Sequence, residues 1–158
     1  MEDTSSFSKE KRFVYTVGHS NRSLEAFISI LKKYGIEVVI DVRRFPMSRK
    51  YPWFNREEMC KALANHGIKY IWLGDLLGGY RNGGYEKYME TDDFRVGIKK
   101  LLDLIQKYTA AIVCCEKFWF RCHRRFISDI LKGLSFNVIH IIDNDKVYTH
   151  KRERKYRL

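Results

Sequence analysis

The stretch Gly35-Ile36-Glu37-Val38-Val39-Ile40-Asp41-Val42-Arg43-Arg44-Phe45-Pro46 decides the fold. Gly35 stops a preceding helix, because glycine accepts the left-handed conformation that closes a helical end. Ile36 to Val42 is then a nearly unbroken apolar run, the signature of a strand covered on both faces in a parallel sheet. The run ends on a carboxylate and two guanidinium groups, and Pro46 places the next residues in a loop.

Reading outward, the same pattern recurs. Phe13-Val14-Tyr15-Thr16-Val17 is a β-rich run ending at Gly18. Ser23 caps a helix whose Phe27 and Leu31 have helical spacing. Downstream, Asn55 opens a helix through Met59 and Leu63, stopped by Gly67, and Lys69-Tyr70-Ile71-Trp72-Leu73 forms a third strand. Gly74 to Gly84 holds five glycines and reads as a long mobile loop. Asp92 or Asp93 caps a helix through Ile98, Leu101, Leu102 and Ile105. Ala110 to Cys115 is a buried strand, Arg124 to Leu131 a helix, and Asn137 to Ile142 a last strand. Strands alternating with helices require right-handed crossovers. The expected fold is therefore α/β, a three-layer sandwich of about five mainly parallel strands with helices on both faces.

The organisation is one domain over residues 12–148, a flexible polar leader over 1–11 and a solvated basic tail over 149–158. The 158 residues suffice to bury a core without disulfides. The apolar fraction of 45% excludes a disordered chain, and no run is long enough for a membrane span. The first residues lack the apolar core of a signal peptide, so a cytoplasmic location is expected. Cys60, Cys114, Cys115 and Cys122 need not be paired there. The 30 basic and 19 acidic residues give a formal charge of +11, which favours polyanionic partners or reflects a solvated surface.

Four of the five strands are followed at once by unusual polar or glycine-rich sequence. These are Gly18-His19-Ser20-Asn21, then Asp41 with Arg43, Arg44, Ser48 and Arg49, then the glycine loop with Arg81. The fourth is Glu116 to Arg125, which holds Trp119, Cys122, His123 and Arg124. Helix-to-strand turns are short and plain. Ligands of open α/β sheets bind at the carboxyl ends of the strands, so this asymmetry marks the working face.

Gly-His-Ser-Asn, Asp-Val-Arg-Arg-Phe-Pro-x-Ser, a Leu-Gly-Gly loop and Cys-Glu followed by Cys-His-Arg occur here in order. Together they resemble the domain-of-unknown-function family numbered 488, over roughly Tyr15 to Asp143. The resemblance implies an α/β fold and a shared site at those motifs, and it names no reaction.

Each candidate has a structural and a chemical reading. Asp41 and Glu116 are ion-pair partners of arginines, or a general base and the carboxylate of a hydrolytic site. His19 holds the loop backbone, or transfers protons. The arginines neutralise nearby acids, or hold phosphate on Arg43, Arg44, Arg81 and Arg124, with Ser20, Asn21 and Ser48 as further contacts. Arg124 and Arg125 open a helix, where free N–H groups attract anions. Aromatics among the cations, Trp119 included, pack on one another or stack unpaired bases. Cys122 is a reactive thiolate beside cations, or an inert core residue, with His123 a poor base for it. Neither a metal nor a cofactor is expected, since Cys114, Cys122 and a histidine leave no fourth ligand evident.

The leading expectation is a metal-independent hydrolase acting on a base or nucleotide of nucleic acid, of the damaged-base excision type, with Asp41 or Glu116 as base and His19 assisting. The alternatives are a non-catalytic single-stranded nucleic-acid-binding module and a thiol-dependent enzyme on a small phosphorylated metabolite. Oligomeric state is not legible.

Overall fold

The computed structural model describes residues 12–158; the leader expected over 1–11 lies outside the described residues. A six-stranded sheet forms the middle layer. In chain order its strands are β1 (Phe13–Gly18), β2 (Val38–Asp41), β3 (Lys69–Trp72), β4 (Ala110–Cys114), β5 (Asn137–Asp143) and β6 (Lys146–Thr149). In space the order is β3-β2-β4-β1-β5-β6. The first five run parallel, and β6 returns antiparallel along β5.

The helices are α1 (Leu24–Lys33), α2 (Arg56–Ala64), α3 (Gly74–Leu77), α4 (Tyr85–Tyr88), α5 (Asp92–Lys107) and α6 (Arg124–Gly133). Side-chain alternation along the strands sorts the core into two halves. Val39, Ala111, Val113 and Ile141 pack with Phe27 and Leu31 of α1 and Met59 and Leu63 of α2. Ile40, Ile112, Cys114 and Val138 pack against Phe94, Ile98 and Leu101 of α5 and Ile127, Ile130 and Leu131 of α6. Both faces of β2 and β4 are thus covered, which is why these strands carry no polar alternation. No helix among the described residues is long and apolar enough to cross a membrane.

Four local expectations change. Thr91, rather than Asp92 or Asp93, caps α5, its hydroxyl accepting from the Phe94 amide; the two aspartates occupy the first turn. Asn55 stands at the start of α2, but its side chain accepts from the Ser48 amide instead and ties down the loop. The glycine-rich stretch opens with the single-turn helix α3 and leads directly into the single-turn helix α4. Arg81 stitches it together by donating to the carbonyls of Gly74, Asp75 and Gly78. The basic tail is not a free arm. Thr149 ends β6, His150 is buried, the Arg154 amide donates to the Asp129 carbonyl, and Tyr156 packs edge-on against Phe94.

Candidate functional site

The strand order explains the site. β4 lies between β1 and β2, in register Gly18↔Cys114 and Asp41↔Val113. Three polar strand ends that are far apart in sequence therefore finish level and side by side. Backbone bonds lock the junction: His19 N–H to the Cys114 carbonyl, Ser20 N–H to the Cys115 carbonyl and Val42 N–H to the Val113 carbonyl, at 2.9, 2.9 and 3.0 Å. A Cβ on Gly18 would lie 1.7 Å from the Glu116 carbonyl oxygen, so only glycine permits this approach. Ser20 comes two residues later with φ 51°, a conformation strained for serine and concentrated at functional sites.

A cavity of about 1270 Å³ opens over these ends. Of the residues singled out in the sequence, His19, Ser20, Asn21, Arg43, Arg44, Ser48, Glu116, Cys122 and His123 line it. Asp41, Arg81, Trp119 and Arg124 lie behind its walls and are used elsewhere in the fold.

Asp41 is completely buried. Arg43 grips it with Nε to Oδ1 at 2.9 Å and Nη2 to Oδ2 at 2.7 Å, and the Arg43 amide and the Tyr70 hydroxyl donate to it as well. A carboxylate so saturated accepts no substrate proton, so Asp41 orients Arg43 instead. The remaining Arg43 nitrogen, Nη1, lies 3.3 Å from His19 Nε2. His19 Nδ1 is 2.9 Å from the Ser20 carbonyl and must carry the proton; Nε2 is then the acceptor from Arg43. Burial lowers the His19 pKa to about 4. The imidazole is neutral at pH 7 with both nitrogens engaged, so it holds the loop rather than transferring protons.

Arg124, 1% exposed, forms a second network. Its Nη1 donates to Thr16 Oγ1 at 2.9 Å, its Nη2 to the Glu116 carbonyl, and its Nε and amide to Cys122 Sγ at 3.3 and 3.4 Å. The Arg125 amide is taken by the Cys122 carbonyl. The first N–H groups of α6 are thus satisfied internally, and the expected helix-end anion site is absent. Behind Thr16 the chain continues through His140 (2.6 Å), His150 (2.9 Å) and Asp129 (2.6 Å). Trp119 lies flat on His140, centroids 4.6 Å apart, and contacts His150 and Tyr148, so it seals this network instead of meeting ligand.

The cysteines divide sharply. Cys115 is exposed in the cavity, Cys114 is buried and Cys122 half-buried. The Cys114 thiol hydrogen-bonds the Cys115 sulfur and lowers its pKa to about 7, whereas the same contact raises Cys114 to about 11. Hydrogen bonding with Cys114 and then burial push Cys122 well above the usual thiol range. Cys115 is therefore the cysteine poised as a thiolate, in place of the expected Cys122. Adjacent cysteines in sequence gave no means to choose between them. The usable signal was that Cys115 is the first residue beyond β4.

Ligand atoms of Cys114, Cys122 and His123 lie within 4.8 Å of one another. Cys122 Sγ already accepts from a permanent cation, which repels a divalent ion, and His123 Nε2 donates to the Val42 carbonyl at 2.8 Å. Burial keeps His123 neutral, its pKa lowered to about 4. The arrangement is better suited to holding Arg124 than a metal.

The rim carries exposed aromatics. Phe45 (63% exposed) lies 6.1 Å from Tyr80 (82%), and Phe118 stacks 5.5 Å from Phe120. Arg44, Arg121 and Arg125 line the same cavity, and among the described residues none of them meets a carboxylate. Lys117 pairs with Asp143 at 3.3 Å. No hydrogen bond or ion pair among the described residues engages the Glu116 carboxylate, the one acid lining the cavity.

No curated protein and no solved structure matches the chain. The family described as domain of unknown function DUF488 matches residues 23–131, which include Asp41-Val42-Arg43-Arg44, Leu77-Gly78-Gly79 and Cys114 to Arg124. Gly18 to Asn21 lie outside the match and join the site through the β1–β4 pairing. With most of the chain and three of its four strand-end segments covered, the protein belongs to the DUF488 family.

Proposed function

We propose that this protein is an enzyme hydrolysing a nucleotide, or a base drawn from an unpaired position in nucleic acid, with Glu116 as its acid–base group. The observation that carries this reading is the rim: two pairs of solvent-exposed aromatics beside three guanidinium groups that no carboxylate among the described residues neutralises. Flat aromatic faces stack any base, and guanidinium forks hold phosphate bidentately. Excision of a damaged base belongs to the same reading, because an extruded base uses the same stacking walls. Glu116 is the cavity's acid–base group by elimination. Asp41 is saturated, and His19 and His123 are neutral with a nitrogen bound to backbone. The reading requires no metal ion.

Binding of a labelled single-stranded oligonucleotide, followed by anisotropy against heparin as competitor, tests it. Tyr80→Ala and Phe120→Ala should each weaken binding about tenfold. Glu116→Gln should abolish turnover while affinity holds or rises. A protein that prefers heparin refutes the reading. One that binds equally well with Glu116→Gln and turns nothing over is a binding module.

A further inference from the structure

We propose that Cys115 is the nucleophile of this cavity and that the bond it opens is the phosphate monoester of a nucleotide. The inference rests on the nucleotide reading above and adds the attacking atom and the bond broken.

Three observations support it. The first is the sulfur cluster. All three sulfurs border the cavity, Cys114 Sγ and Cys122 Sγ within 4.8 Å of each other, but only Cys115 is exposed there, and hydrogen bonding with Cys114 holds its pKa down. A thiolate at Cys115 is thus provided with a donor, whereas its two neighbours stay protonated. The second is charge. Arg124 is fully buried under this floor with no carboxylate within ion-pair distance among the described residues, and the charge of Arg43 also acts on Cys115. A buried guanidinium without a counter-ion is costly even when its N–H groups are hydrogen-bonded, so the floor favours an anion above it. The third is the loop. From Cys115 the chain passes Glu116 and turns at Trp119–Arg121 into α6, which brings Arg121 and Arg125 to the wall of the same cavity. Nucleophile, proton carrier and phosphate-holding cations therefore come from one β4-to-α6 connection.

The step balances within the site. The Glu116 carboxylate takes the Cys115 thiol proton. The thiolate attacks phosphorus, the P–S bond forms, and the bond from phosphorus to the ester oxygen breaks. Glu116 returns the proton to that oxygen, releasing the nucleoside or strand hydroxyl. Water, deprotonated by Glu116, then displaces the sulfur, giving inorganic phosphate, and Glu116 returns that proton to the departing thiolate, which restores the starting thiol and carboxylate. The sum is ester plus water to alcohol plus phosphate, with no oxidant or reductant.

The test uses the full chain, nucleoside 5′-monophosphates and a 5′-phosphorylated single-stranded oligonucleotide. Wild-type protein should release inorganic phosphate, and an acid quench should trap one phosphoryl group on the Cys115 peptide. Cys115→Ser should lose phosphate release about a thousandfold or more, with nucleotide affinity little changed. Iodoacetamide offers a second measurement that needs no substitution. Cys115 should alkylate ahead of Cys114 and Cys122, with a rate that rises through about pH 7, set by Cys114, Cys122, Glu116 and Arg43 around it. Cys60, exposed and outside the cavity, serves as the control. Nucleotide binding without phosphate release, or release that survives Cys115→Ser, overturns the inference and leaves the nucleotide reading standing. Absence of nucleotide binding overturns both.

Discussion

Two buried arginines lie beneath one cavity, and they are neutralised differently. Arg43 meets Asp41 directly through two parallel bonds, with Tyr70 completing the carboxylate. Arg124 reaches its nearest network carboxylate, Asp129, only through Thr16, His140 and His150, and turns two further donors onto Cys122 sulfur. The bonds of the second chain have one consistent direction. Thr16 O–H donates to His140 Nδ1, His140 Nε2–H to His150 Nδ1, and His150 Nε2–H to Asp129, so every group in the relay has a partner. The β2 side is electrostatically closed, whereas the β5 side leaves positive potential under the thiols. One arginine is a strut, and the other keeps its charge without a carboxylate beside it among the described residues.

The sharpest way to break this contrast is Asp41→Ala. It strands a buried guanidinium next to neutral His19 and should cost about 3–5 kcal/mol, read as a lower urea midpoint. Asp129→Asn removes a carboxylate that does not touch its arginine. It should cost about 2 kcal/mol, the loss of one charged hydrogen bond, with Arg124 still satisfied by Thr16. Equal costs would mean that the two networks are equivalent and that the field argument for Arg124 fails.

Much of this was legible in the sequence, and the remainder was hidden for a physical reason. Hydrophobic runs and stop residues gave five strands and the helices between them. The polar strand ends gave one working face, because that face is set by connectivity alone. Strand order is not. Only the placement of β4 between β1 and β2 brings His19, Arg43 and Glu116 together. β6 is a short exposed strand after a tight turn, so its sequence merges with the basic tail. Asp41 read equally as base or strut, since the deciding hydroxyl comes from Tyr70, inside a strand that looked merely apolar. The roles of Arg81, Trp119 and Arg124 were hidden for the same reason. Their partners are backbone carbonyls, histidines and a sulfur, none of which a charge pattern displays.

Acid should load both networks. His19 on the Arg43 side and His123 at the floor titrate near 4 in the folded protein, and His140 on the Arg124 side near 2, all below the unfolded value of about 6.5. The unfolded chain therefore binds more protons below 6.5. Stability from neutral histidine is fully present above that pH and falls as the pH drops toward 4. Between pH 6.5 and 5 the loss is about 1.5 kcal/mol per histidine. Urea midpoints across this range should show net uptake of more than one proton on unfolding. A flat profile would mean that one or both networks already hold charged imidazoles.

The smallest effect isolates the strut. Tyr70 enters from β3 and donates to an Asp41 carboxylate that keeps three donors from Arg43 when the hydroxyl is removed. Tyr70→Phe fills the same volume and deletes one bond of several, so it should cost about 1 kcal/mol. Oligonucleotide affinity should not change, because Tyr70 does not line the cavity and Arg43 stays clamped. A cost as large as that of Asp41→Ala would make the β3 hydroxyl, rather than the guanidinium, the group that neutralises Asp41. Arg43 would then be as free as Arg124 to carry its charge to a ligand, and the asymmetry between the two sides of the floor would vanish.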